Sequence, residues 1–122
     1  MKRVAVLGST GSIGRSTLDV AASLGDEVRV VGLAAGSSWQ KMAEQCRALG
    51  KFPELLAMAD EGCAARLERE LGLSEGTVLR GADGVSALAG HPEVDLVVTA
   101  MVGAEGLRPT LAAVEAGKTV AL

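Results

Sequence analysis

The stretch Gly8-Ser9-Thr10-Gly11-Ser12-Ile13-Gly14 sets glycines at three-residue intervals, with hydroxyl side chains between them, directly after the apolar run Val4-Ala5-Val6-Leu7. A turn of this kind can receive a pyrophosphate. Gly8 takes the tight turn out of the strand, and Gly11 offers an approaching phosphate a backbone without a Cβ. Gly14 lets the next helix pack close to the sheet. Free N–H groups and the positive dipole end at the start of that helix would meet the phosphate oxygens. Thr10 and Ser12 add hydroxyl donors at the same place. The same pattern also serves as a plain strand-to-helix connection. Its position in the first βα turn is what gives it a nucleotide-binding sense.

Choice of nucleotide falls on the end of the second strand, where a carboxylate usually selects NAD by holding the ribose 2′-OH. Here that position reads Ala35-Gly36-Ser37-Ser38, without Asp or Glu, while Asp26 and Glu27 lie at the other end of the strand. Gly36, Ser37 and Ser38 can offer backbone and hydroxyl donors to a 2′-phosphate, and Lys41 is the nearest cation. NADPH is therefore expected over NADH. Ser37 or Ser38 can equally act as the N-cap of the following helix.

Other residues carry weaker chemistry. His91 is the sole histidine and sits in the turn Gly90-His91-Pro92, so a solvent-facing role is expected rather than proton transfer. Asp95 reads as a turn or cap residue. Trp39 follows Ser38 and could stack on an adenine, though a helix-start anchor is the commoner use. Glu61, Glu68 and Glu70 with Arg66 and Arg69 read as a solvated helix face. Ala100 and Gly103, at the end of the fifth strand, lie where a nicotinamide would approach. Cys46 and Cys63 match no metal or redox spacing; two buried reduced thiols of a cytosolic protein is a plainer reading than a disulfide between them. Neither a catalytic residue nor a metal ligand is assigned.

The elements that must position these groups follow from the hydrophobic pattern. Short apolar strands are expected at Arg3–Leu7, Val28–Ala35, Leu55–Ala59, Thr77–Leu79, Leu96–Ala100 and Thr119–Leu122. Helical spacing fills the intervals, over Ile13 to Leu24, Trp39 to Leu49, Ala64 to Leu71, Val85 to Leu88 and from Leu107 past Val114. Alternation of this kind means βαβ units and a parallel sheet covered on both faces: a doubly wound, Rossmann-like α/β fold. The chain's 122 residues, 48% hydrophobic and 22% charged, suit one such domain. A formal net charge of -3 and the lack of a basic stretch argue against nucleic-acid binding. Apolar runs are far shorter than the ~18 residues of a membrane helix. Because the sequence stops within the last strand, a domain truncated from a longer polypeptide is expected.

The glycine turn, followed by Ser16-Thr17-Leu18-Asp19-Val20, closely resembles the N-terminus of the 1-deoxy-D-xylulose 5-phosphate reductoisomerase family. Further matches are Ala35-Gly36, Glu44-Gln45-Cys46 and Val102-Gly103-Ala104-Glu105-Gly106-Leu107. Pro109-Thr110-Leu111-Ala112-Ala113 and Ala116-Gly117-Lys118 extend the likeness, which runs from Met1 to Leu122. The resemblance implies an NADPH-dependent enzyme of the non-mevalonate isoprenoid pathway, cytoplasmic in bacteria and homodimeric. It would convert its sugar-phosphate substrate to 2-C-methyl-D-erythritol 4-phosphate with a divalent metal, Mg or Mn. Carried over, Thr10, Gly11, Ser12 and Ile13 would line the pyrophosphate, and Gly36, Ser37 and Ser38 the 2′-phosphate. The family commonly has a basic residue or an asparagine in the second group, where this chain has Ser37 and Ser38. The family's metal ligands and catalytic domain would lie beyond Leu122, so this chain alone is expected to be inactive. Two other readings are an extended short-chain dehydrogenase, which would need a tyrosine the chain lacks, and a free-standing nucleotide-sensing domain.

Overall fold

A computed structural model describes residues 1–101 and 103–122; Val102, part of the quoted family motif, lies outside the described residues. The chain runs β1 (Lys2–Leu7), α1 (Ser12–Ser23), β2 (Val28–Ala35), α2 (Trp39–Ala48), β3 (Leu55–Met58) and α3 (Glu61–Leu71). It continues through β4 (Leu79–Arg80), α4 (Gly81–Ala89), β5 (Leu96–Thr99), α5 (Leu107–Glu115) and β6 (Thr119–Ala121). Short 3-10 turns at Gly25–Glu27 and Gly103–Gly106 complete it.

All strand pairs are parallel, in the order β4-β3-β2-β1-β5-β6. The chain walks outward from β1 to β4 and then returns to lay β5 against the free side of β1. The doubly wound expectation holds. β1 lies inside the sheet, and four of its residues, Val4, Ala5, Val6 and Leu7, are almost fully buried, which is why this strand reads as an unbroken apolar run. Its alternating side chains feed two cores. Val4 and Val6 join Leu33, Met42, Cys46, Leu56 and Leu67 beneath α1, α2 and α3. Ala5 and Leu7 join Val31, Ala57, Val85, Leu88 and Ala113 beneath α4 and α5.

Two sequence expectations need correction. The fourth strand is Leu79–Arg80, not Thr77–Leu79, and α4 starts at Gly81, four residues ahead of Val85. The cause is Glu68, which is not part of a solvated face but only 3% exposed. Its Oε2 accepts the N–H groups of Gly76 and Val78, both at 2.9 Å, and Oε1 accepts Arg80 NH2 at 2.5 Å. With the Val78 N–H held by a carboxylate, no ladder bond forms there and the strand begins at Leu79, two residues later than expected.

At the N-terminal edge of the sheet, Arg3 joins β1 to the segment entering β5. Its guanidinium gives Nε to Asp95 Oδ2 and NH2 to Asp95 Oδ1, each at 3.1 Å, and NH1 to Glu93 Oε2 at 2.8 Å. The Arg3 side chain holds the Asp95 carboxyl down, to about 2. Nearby, His91 Nδ1 accepts the Glu93 N–H at 3.1 Å. This half-buried histidine braces a turn at the edge opposite the glycine turn, instead of simply facing solvent.

Candidate functional site

Gly8 leaves β1 with φ +81°, a left-handed conformation that disfavours side chains. A Cβ there would also lie 3.0 Å from the Ala100 carbonyl group at the end of β5. Because β5 has returned to the side of β1, the exits of β1, β2 and β5 converge, with Leu7 paired to both Ala34 and Thr99. That convergence is the switch point of a doubly wound sheet, where ligands bind outside the strands' carboxyl ends. Ala100 thus stands against the glycine turn, while Gly103 is exposed in the 3-10 turn that follows.

The turn is fastened from below. Gly8 and Ser9 both give their N–H groups to the Ala34 carbonyl, at 2.7 and 3.1 Å. Gly14 sits directly on them: a Cβ there would be 2.1 Å from the Gly8 oxygen and 2.6 Å from Ser9 Cα. The expected closeness of Gly14 is therefore to the backbone of the turn itself. From above, the turn is open. Gly11, Ser12 and Ile13 are exposed and Thr10 is half-buried. A Cβ on Gly11, whose φ is an ordinary -79°, would have only the Gly8 oxygen nearby, at 3.7 Å. Gly11 is the N-cap of α1, which carries no side-chain cap. Among the described residues, the N–H groups of Thr10, Ser12 and Ile13 have no backbone or side-chain acceptor. Unspent donors at the dipole end of a helix, facing open space, suit an oxyanion.

Beside this, Ala35 and Gly36 at the end of β2 accept the N–H groups of Ala59 and Asp60, at 2.9 and 3.0 Å. Ser38 holds the N-cap position of α2, but its side chain makes no capping bond. The capping alternative for Ser38 thus corresponds to its place and not to its hydroxyl. Gly36, Ser37, Ser38 and Lys41 are all exposed. Trp39 is half-buried against the core, with the Arg66 guanidinium 5.9 Å from its ring centroid. It behaves as an anchor whose ring already has a cationic partner.

Two features escaped the sequence pattern. Asp60, in the turn between β3 and α3, stands next to Gly36 through the backbone, but its Oδ1 caps α3 by accepting the Cys63 N–H at 2.9 Å. That bond lowers the Asp60 pKa. Gln45, one side of α2, gives Nε2–H to the Ser9 carbonyl at 2.7 Å. Hydrophobic periodicity carries no sign of either contact.

Two further spaces line the surface. A groove of about 390 Å³ starts at Ser12 and Ile13 and follows Ser16, Thr17 and Val20 along α1 to Val98. Another, about 480 Å³, opens at the far edge among Met1, Ala21, Val28 and Leu49, away from every residue with candidate chemistry. Among the described residues, no three His, Cys, Asp or Glu side chains come together that could hold a metal. The residues present therefore do not fit a divalent-cation site. Cys46 is buried, its thiol pushed up to about 11 by that burial, and Cys63 is half-buried; both are free. No helix among the described residues is long and apolar enough to cross a membrane.

Comparison with known proteins bears on the whole of this fold. Residues 4–122 match the family model described as 1-deoxy-D-xylulose 5-phosphate reductoisomerase. The enzyme of that name from Pelotomaculum thermopropionicum is 48% identical over 123 residues, covering 100% of this chain and 31% of the relative. The chloroplastic enzyme of Mentha piperita is 43% identical, over 99% of this chain and 26% of its own length. Among solved structures, the Zymomonas mobilis reductoisomerase in complex with NADPH superposes with a TM-score of 0.87 at 35% identity, over 99% of this chain and 31% of that one. A reductoisomerase in complex with NADPH, fosmidomycin and magnesium gives a TM-score of 0.89 at 34% identity, over 100% and 30%. The chain thus spans about a third of the length of the curated relatives it matches, 31% in the bacterial example.

Proposed function

The chain belongs to the 1-deoxy-D-xylulose 5-phosphate reductoisomerase family, and on that premise we propose that residues 1–122 are the NADPH-binding domain of such an enzyme. The observation that carries the reading is the open glycine turn, whose outward N–H groups at Thr10, Ser12 and Ile13 stand at the switch point of the sheet. Thr10, Gly11, Ser12 and Ile13 hold the pyrophosphate, after the tight turn made by Gly8. Gly36, Ser37 and Ser38 receive the 2′-phosphate through backbone and hydroxyl donors, with Lys41 as the nearest cation. When bound, the reduced nicotinamide supplies a hydride.

The whole protein, in this proposal, converts 1-deoxy-D-xylulose 5-phosphate to 2-C-methyl-D-erythritol 4-phosphate in non-mevalonate isoprenoid synthesis. The Mg or Mn ion and the substrate-holding residues belong to parts of the enzyme outside these 122 residues. The exposed apolar side chains of Ile13 and Val20 on α1, and of Leu107, Leu111 and Val114 on α5, support burial of these faces against further protein. Pairing of the whole enzyme into a homodimer belongs to the same proposal. A cytoplasmic, reducing setting is supported by the two free thiols. The match of residues 4–122 to the reductoisomerase family favours this reading over an extended short-chain dehydrogenase.

Calorimetry with NADPH and NADH tests the cofactor site. Gly11→Val should fold normally, since the site of its Cβ is open and its φ ordinary, yet weaken NADPH by tenfold or more, roughly, by occupying the phosphate's place. Ser37→Asp should flatten or reverse a preference for NADPH by repelling the 2′-phosphate. Equal NADPH affinity for wild type and Gly11→Val would remove the turn from the reading. A separate expectation concerns catalysis: the 122-residue chain should not oxidise NADPH with 1-deoxy-D-xylulose 5-phosphate and Mg²⁺ or Mn²⁺, for want of a substrate-holding and proton-supplying group. Measurable turnover would overturn that division of labour.

A further inference from the structure

The phosphate turn is gripped by α2 at one residue, Ser9, which is fully buried. The Ser9 hydroxyl reaches Met42 Sδ at 3.8 Å, and the Ser9 carbonyl accepts Gln45 Nε2–H at 2.7 Å, across 36 residues of sequence. The orientation of that amide is settled by chemistry. A carbonyl can only accept, so the nitrogen of Gln45 must face it and the oxygen must point away. Gln45 Oε1, on the side away from Ser9, has no acceptor role toward another protein group among the described residues.

The C=O and N–H of a trans peptide unit point in opposite directions. Holding the Ser9 oxygen toward α2 therefore turns the N–H of Thr10, in the same peptide plane, away from α2. That N–H is one of the donors without an acceptor among the described residues. We propose that Gln45 is a positioning residue of the phosphate turn: by pinning the Ser9 carbonyl it aims the Thr10 N–H at the pyrophosphate of the dinucleotide. The inference rests on the cofactor reading above. It assigns to α2, by way of a neutral amide, a part in aiming a donor that the glycine pattern alone supplies but does not orient.

The test uses two ligands. NADPH carries the pyrophosphate, whereas 2′-phosphoadenosine (2′-AMP) reaches only the Gly36–Ser38 end. In Gln45→Met the donor is lost at similar side-chain length; in Gln45→Glu it is replaced by an acceptor facing another acceptor. Each should weaken NADPH about tenfold and leave 2′-AMP within about twofold of wild type. A ¹⁵N-resolved spectrum adds an independent readout: the large shift of the Thr10 amide on adding NADPH to wild type should shrink in both variants. Ser9→Ala, which keeps the backbone carbonyl and its bond to Gln45, should retain NADPH affinity. Should Gln45→Met fail to fold, Gln45→Glu carries the comparison, with the melting curve as its control. Equal NADPH affinity in either folded variant, or parallel loss of both ligands, would sink the positioning role alone. Absence of NADPH binding by the wild-type chain would sink it together with the cofactor reading.

Discussion

Gly14→Ala should lower the stability of the chain by about 3 kcal/mol or more, beyond the usual range for an overpacked site, and abolish NADPH binding with it. The new methyl would stand 2.1 Å from the Gly8 oxygen and 2.6 to 2.7 Å from Ser9 Cα and carbonyl carbon. These are backbone atoms of a turn already fastened to Ala34, so no flexible side chain can move aside. Either α1 lifts off the turn or the turn leaves Ala34. Lifting α1 moves the Ser12 and Ile13 N–H groups away from Thr10, so the same change that costs stability disperses the donors. A scanning-calorimetry midpoint lowered by roughly 10 °C is expected at this size. Gly11→Val supplies the contrast, because it should melt like wild type and still lose the cofactor. If Gly14→Ala melts within about 2 °C of wild type, the close seating of α1 on the turn is not what holds this region.

Glu68→Ala should cost about 3 to 5 kcal/mol, the usual result of removing one member of a buried ion pair. The substitution leaves the N–H groups of Gly76 and Val78 without their acceptor and the partly buried Arg80 guanidinium without its carboxylate. Glu68→Gln keeps the size but offers a single neutral oxygen, and should fall between wild type and the alanine variant. Urea unfolding measures both. Since β4 forms the sheet edge farthest from β5, NADPH affinity measured well below the melting temperature should be unaffected. A loss under about 1 kcal/mol in Glu68→Ala would mean that water replaces the carboxylate at this loop.

What the sequence determined by itself are the features encoded over a few residues. A left-handed φ at Gly8 and the close approach at Gly14 are demands that only glycine meets, so their spacing is visible in the chain. Alternation of short apolar runs with helical periods gave the parallel sheet, because a strand buried on both faces must be apolar throughout. The absence of a carboxylate after Ala35 was equally local.

Pairings between distant residues depend instead on how the chain folds back on itself. Periodicity classed Glu68 with its solvated neighbours, since a helix face says nothing about a loop that folds back over it; the Gly76–Val78 segment buries the carboxylate and displaces β4. His91 and Asp95 looked equivalent to any other strand-entry residues until the return of β5 to β1 put them at the edge opposite the turn. That same return sets Ala100 against Gly8 at the switch point of the sheet. The Gln45–Ser9 bond needs α2 to come back against the turn after β1, 36 residues along the chain. Local sequence can fix a conformation because sterics act between neighbours along the chain, whereas a hydrogen bond between separated elements exists only once topology has brought them together.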